Sequence, residues 1–184
     1  MRALLRPSLR LLHDENGVAL IEGAIISSFM VIVLLGMVEL VTYFTTTVKV
    51  TEAADGIANI VTIEQDASQQ TVDDLGVAID NFLRPLTGSP PYAVAQVIYL
   101  DDGTPSLATA DGGWVATRNG MTVDNEELLG LADGLGLPGE ALVITRIRFP
   151  YSTMLRSAFS NTMPDVIVET AFAKPRSGKP ILYQ

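Results

Sequence analysis

Two carboxylates stand out for the surroundings that the sequence gives them. From Val18 to Phe44 there is no Lys, Arg, Asp, Asn, Gln or Pro, and Glu22 and Glu39 carry the only charges. An acid at the centre of a bilayer costs roughly 2.5–3.5 kcal/mol on insertion scales, and less near the headgroups. Glu22 and Glu39 are 17 positions apart. At ~1.5 Å per helical residue that is ~25 Å, close to the ~30 Å hydrocarbon core. Each acid can then sit near an opposite interface, with Gly23 to Val38 in lipid between them. Glu39 has two readings there: pairing with another subunit, or facing the headgroups. Gly23, Ala24, Ser27 and Ser28 form small-xxx-small pairs that can seat a second helix, although small residues are common in spans anyway.

The remaining chemistry is sparse. The chain has no cysteine and one histidine, His13. Thiolate metal sites, disulfides and a cysteine nucleophile are therefore excluded. Beyond the apolar stretch no imidazole can act as base or ligand, which removes most hydrolase mechanisms. The expectation is a non-enzyme with no catalytic residues, no metal and no cofactor. Asp101, Asp102 and Asp111 do not have the alternating spacing of a calcium loop, and the glycines beside them read as turns. The net charge is −9, and from Thr45 onward 9 basic and 17 acidic residues leave −8. That balance argues against nucleic acid, which needs clustered Lys or Arg, and against a grip on anionic lipid.

The elements follow from periodicity and breakers. Residues 1–17 form a basic leader with Arg2, Arg6 and Arg10, either a helix lying on the membrane or a short disordered tail interrupted by Pro7. Residues 18–44 read as one transmembrane helix. After it the basic residues are Lys49 and then none until Arg84, so the leader is expected in the cytoplasm and the rest exported. A cleaved secretory signal is the competing reading, but the run ends in Glu39, Thr42, Tyr43 and Phe44 without an Ala-x-Ala site.

Residues 45–83 form a helical stem. Its first helix continues from Thr45 to about Glu64, with Val50, Ala54, Ile57, Ala58 and Val61 on one stripe. Thr45 to Thr47 is its weak point. Its second helix spans Val72–Leu83, capped by Thr71 and buried through Val72, Leu75, Ile79 and Phe82. The stretch Arg84 to Pro91 then breaks helix.

Residues 92–176 form a sheet region. Strands are expected at Tyr92–Leu100, Trp114–Arg118, Ala141–Phe149 and Asp165–Ala173. Asp124 and Glu127 make a capping box for a short helix between them. Arg146 and Arg148 share a strand face, with Glu169 as their candidate cross-strand partner. Residues 177–184 read as a tail. Helices segregated from an antiparallel meander give the class α+β, with helices packed on the sheet.

The motif Gly17-Val18-Ala19-Leu20-Ile21-Glu22, behind a basic leader and at the edge of a span, resembles the processing site of type IV prepilins. In that resemblance a membrane protease cuts after the glycine. The cut would free the Val18 amine at a helix N-terminus, and Glu22, one turn on, would neutralise that amine or a neighbour's. The plainer reading is that Glu22 only marks the end of the span. The run GVALIEGAIISSFMVIVLLGMVEL, then Tyr43-Phe44, then TEAADGIANIVT, is similar to the TadE-like proteins of tight-adherence pilus machines. Glu22, Gly36 and Glu39 match that family's pattern, and ALVITRIRFPY with DVIVETAFAKPR loosely matches its C-terminal part. The resemblance implies a pseudopilin or minor pilin-like fold in the bacterial inner membrane, single-pass, with a periplasmic domain. It implies as partners other pilins or pseudopilins through the span, a prepilin peptidase and the pilus assembly platform. Alternatives on the same residues are an uncleaved, membrane-anchored binding module and a pseudopilin of a type II secretion system.

Overall fold

The computed structural model describes residues 15–153 and 164–184. Arg2, Arg6, Arg10, His13 and most of the basic leader lie outside the described residues. The fold is α+β, with a long apolar N-terminal helix and an antiparallel sheet. It divides into two compact units between Thr42 and Tyr43.

The long helix α1 spans Glu15–Val61. The three threonines expected to weaken it do not interrupt it, because side chains on this stretch bond back to the preceding turn. Thr47 Oγ1 donates to the Tyr43 carbonyl at 3.1 Å, and Thr51 Oγ1 to Thr47 at 3.0 Å. Within the second unit α1 buries Val50, Ala53, Ala54, Ile57, Ala58 and Val61, the stripe read from the sequence. Lys49, Glu52, Asp55 and Asn59 stay off it.

Helix α2 spans Gln69–Phe82 and starts earlier than expected. Ser68, not Thr71, is its cap. The Ser68 hydroxyl accepts from the Thr71 amide, and the Thr71 hydroxyl accepts from the Ser68 amide. Thr71 thus plays the part usually taken by Glu or Gln in a capping box. Val72, Leu75 and Ile79 are buried. Phe82, expected in that stripe, remains partly exposed and rests on Gly56 of α1, where an added Cβ would come within 2.7 Å of its ring. The next helical position, Leu83, takes the buried place.

The sheet contains β2 (Tyr92–Tyr99), β3 (Pro105–Ser106), β4 (Trp114–Arg118), β5 (Ala141–Pro150) and β6 (Val166–Ala173). It is not a simple meander. β5 pairs with β2 on one side and β6 on the other, while β3 and β4 share the far edge of β2. All eight residues of β2 are buried, which requires cover on both faces. One face packs Tyr92 and Val94 with residues of α1 and α2. The other packs Ala95, Val97 and Tyr99 with Leu128 and Ala132 of α3, which spans Asn125–Ala132. The sheet is therefore sandwiched between helices, instead of bearing them on one side.

Two tyrosines at opposite ends of β2 pin these layers. Tyr92 Oη donates to the Val72 carbonyl of α2, and Tyr99 Oη to the Ala132 carbonyl of α3, both at 2.6 Å. Gly136 admits the Tyr99 ring, since a Cβ there would lie 2.1 Å from it. Between them sits Gln96, fully buried. Its Nε2 donates to the carbonyls of Gly112 at 2.8 Å and Ile181 at 3.0 Å, and its Oε1 accepts from the Ile181 amide at 2.8 Å. Trp114 Nε1 also donates to Ile181, and its ring stacks on Tyr183. Residues 177–184 are thus anchored through the buried Ile181 and are not a free tail. The short β7 (Leu182–Tyr183) pairs in parallel with β1 (Asp66–Ala67).

Gln96→Leu strands the Ile181 amide and the Gly112 carbonyl, and the expected loss is about 2–3 kcal/mol. Chemical denaturation of the full chain in detergent measures it, and hydrogen exchange should show the Ile181 amide losing protection. A second expectation concerns pH. Burial is the main cause raising the Tyr92 and Tyr99 phenols above the ordinary value of 10.0. A raised folded value favours the protonated form, so this stability is complete below pH 10 and is lost as pH rises through the folded values. The denaturation midpoint should therefore fall more steeply above about pH 10 in the parent than in Tyr92→Phe/Tyr99→Phe.

Candidate functional site

The first unit carries the residues singled out by the sequence. In isolation a helix with apolar residues on every side has no aqueous resting place. Most of its large apolar side chains from Leu20 to Val41 are exposed, and among the described residues this is the one helix long and apolar enough to cross a membrane. The serine hydroxyls on it are satisfied internally. Ser27 and Ser28 both donate to the Ala24 carbonyl, at 3.0 and 2.8 Å. Thr42 does the same to Val38 at 2.9 Å. Such back-bonding leaves no hydroxyl hydrogen unpaired in an apolar surrounding.

Gly17 and Val18 lie inside the first turns of α1, with Gly17 buried and Val18 exposed. Glu22 is exposed, four residues beyond Val18. Side chains at that spacing are ~5–6 Å apart at Cβ, within reach of a carboxylate and an amine. The helix thus brings Val18 and Glu22 onto one face.

Gly23 has no atom within 4 Å of where its Cβ would stand. Gly23 and Ser27 are one turn apart, as are Ala24 and Ser28, so the four small residues lie side by side on an exposed stretch of the helix. Gly36 is half-buried. Glu39 is 2% exposed.

The polar groups of the second unit are engaged in holding loops and helices. Arg146 does not pair with Glu169, because the register sets Glu169 opposite Ile147. Its Nη2 donates to Glu127 of α3 at 2.7 Å, and this bond holds the Glu127 carboxyl below its ordinary value. Glu127 therefore does not complete the expected capping box, and Asp124 alone caps α3, accepting from Glu126 N at 2.9 Å. Lys174 lowers Glu140 in the same way, at 2.5 Å. Asp102 is lowered by the Thr104 hydroxyl and amide, and Asp111 accepts from Ser106 at 2.7 Å. These acids act as turn residues. Among the described residues no cluster of His, Asp and Glu is arranged to hold a metal. Gln96 and Ile181 went unread as a pair; a lone amide in the middle of an otherwise apolar strand was the available sign.

Comparison with known protein families, with curated proteins and with solved structures gives no match.

Since Gly23 faces open space, Gly23→Leu should leave the helicity and the thermal midpoint of the chain unchanged within error. If these small residues seat a second helix, the same change should weaken self- or cross-association of the full chain in micelles at least tenfold, about 1.4 kcal/mol, by analytical ultracentrifugation or energy transfer.

Proposed function

We propose that the chain is a non-catalytic, single-pass membrane subunit of pilin-like design. It would serve the assembly or structure of a tight-adherence, type IV-like pilus. The leader is cytoplasmic and the second unit periplasmic, and a prepilin peptidase cuts after Gly17. The observation that carries this reading is Glu22, exposed one helical turn beyond Val18 on an apolar helix whose other surface residues offer no competing charge until Glu39. Hydrolysis of the Gly17–Val18 bond creates an amine that must be neutralised in a poorly solvated place, and Glu22 is the acid at the right distance. The small residues Gly23, Ala24, Ser27 and Ser28, with Gly36 farther along, support packing against the span of another pilin or pseudopilin. The same design serves a type II secretion pseudopilin.

A second reading is an uncleaved, tethered binding module. It is favoured by the position of the Gly17–Val18 bond within α1, where a protease must first open the helix.

Mass spectrometry of the membrane-extracted chain separates the two. Processing leaves 167 residues beginning at Val18. Gly17→Phe should abolish the cut. Glu22→Ala should permit it and yet block assembly, because the charge that Glu22 answers exists only after hydrolysis. An intact Met1 in cells with active prepilin peptidase would leave the tethered module as the better reading.

A further inference from the structure

The two edges of the five-stranded sheet are built differently. At one, β3 and β4 divide the flank of β2 into short pieces, and Arg118 of β4 is tied to Asp73 and to the Gln69 carbonyl of α2. Short, broken, charged edges resist further pairing. At the other, β6 runs eight residues without a proline, a lysine or an interruption of its register with β5.

The hydrogen-bond phase of β6 is fixed by the Tyr151 amide, which donates to the Asp165 carbonyl at 2.9 Å. Continuing by twos, Ile167, Glu169, Ala171 and Ala173 turn their N–H and C=O groups toward β5. Val166, Val168, Thr170 and Phe172 turn theirs outward, and among the described residues these groups meet no partner. The side chains of Val168 and Phe172 are also exposed, at 42% and 39%. Eight residues of open ladder with apolar side chains is the form of edge to which an extended segment adds as a further strand.

The charge on β6 selects what can be added. A second copy pairing antiparallel over the full length would set Val166 opposite Phe172 and Val168 opposite Thr170. That register puts Glu169 directly across from its counterpart, at ~4.5 Å between Cα atoms, and like charges so placed are destabilising. Sliding the strands to avoid this leaves outward groups unpaired at the ends.

We propose that the outer edge of β6 receives an extended segment of a different protein subunit, antiparallel, with Lys or Arg opposite Glu169. On the other face its residues one position to one side of that charge and three positions to the other, opposite Val168 and Phe172, would be apolar. This does not depend on processing at Gly17.

The test uses the full chain in detergent micelles and a ten-residue peptide of alternating valine and threonine with one central lysine. At about ten times its Kd the peptide should slow hydrogen exchange about tenfold at the amides of Val166, Val168, Thr170 and Phe172, leaving β5 amides unchanged. The same peptide with central glutamate should have no effect at that concentration, and Glu169→Lys should reverse the preference. Unchanged β5 protection in that variant shows that it is folded. Equal protection by both peptides, or none by the lysine peptide at millimolar concentration, overturns the proposal. So does protection of the four amides in a peptide-free dimer, which would make a second copy the occupant.

Discussion

Gln96 is the polar side chain that the core of the second unit cannot do without. It lies in the middle of a strand buried on both faces, where an amide without partners would cost more than most single contacts contribute. Its two donors and its acceptor are met by the backbone of Gly112 and Ile181. Those partners come from a loop and from the last residues of the chain, so satisfying one side chain fixes two segments distant in sequence. Trp114 bonds to the same Ile181 carbonyl and stacks on Tyr183, and the strand pair β1–β7 closes beside it. Ile181 is 85 residues from Gln96, so this bond joins segments far apart in the chain.

Around that centre the layers are held by direction as well as by burial. Tyr92 and Tyr99 are seven residues apart, so alternation sends them to opposite faces of the sheet. Each reaches a carbonyl of the helix on its side, which sets the height of α2 and α3 above the strand. Glycine supplies the room: Gly136 for the Tyr99 ring and Gly56 for Phe82. The ion pairs Arg146–Glu127 and Lys174–Glu140 lie at the surface, where solvent screens them, and they orient elements more than they stabilise them.

The functional reading rests on the same economy of polar groups. Across the apolar part of α1 the hydroxyls of Ser27, Ser28 and Thr42 bond to their own backbone, and Glu22 is the exposed acid. Among the described residues neither it nor Glu39 belongs to a cluster that could hold a metal. In the proposed function, Glu22 serves charge neutralisation in a place with little water, the need of a subunit that assembles.

The sequence by itself determined the helices and strands wherever periodicity was long and uninterrupted. The α1 stripe from Val50 to Val61, the strands at Tyr92 and Ala141, and the α+β class follow from local pattern, and so does an apolar run long enough for a bilayer. The motif residues Gly17, Val18 and Glu22 were also legible, because their relation is one helical turn. Tertiary structure decided what depends on distant partners. It chose Ser68 over Thr71 as a cap, gave Arg146 to Glu127 and not to Glu169, and inserted β5 between β2 and β6. It also buried Glu39, and it anchored the C-terminal residues through Ile181. The reason is common to these cases: a polar group has several local partners of similar strength, and the packed core selects the one whose loss would leave a buried donor or acceptor unpaired.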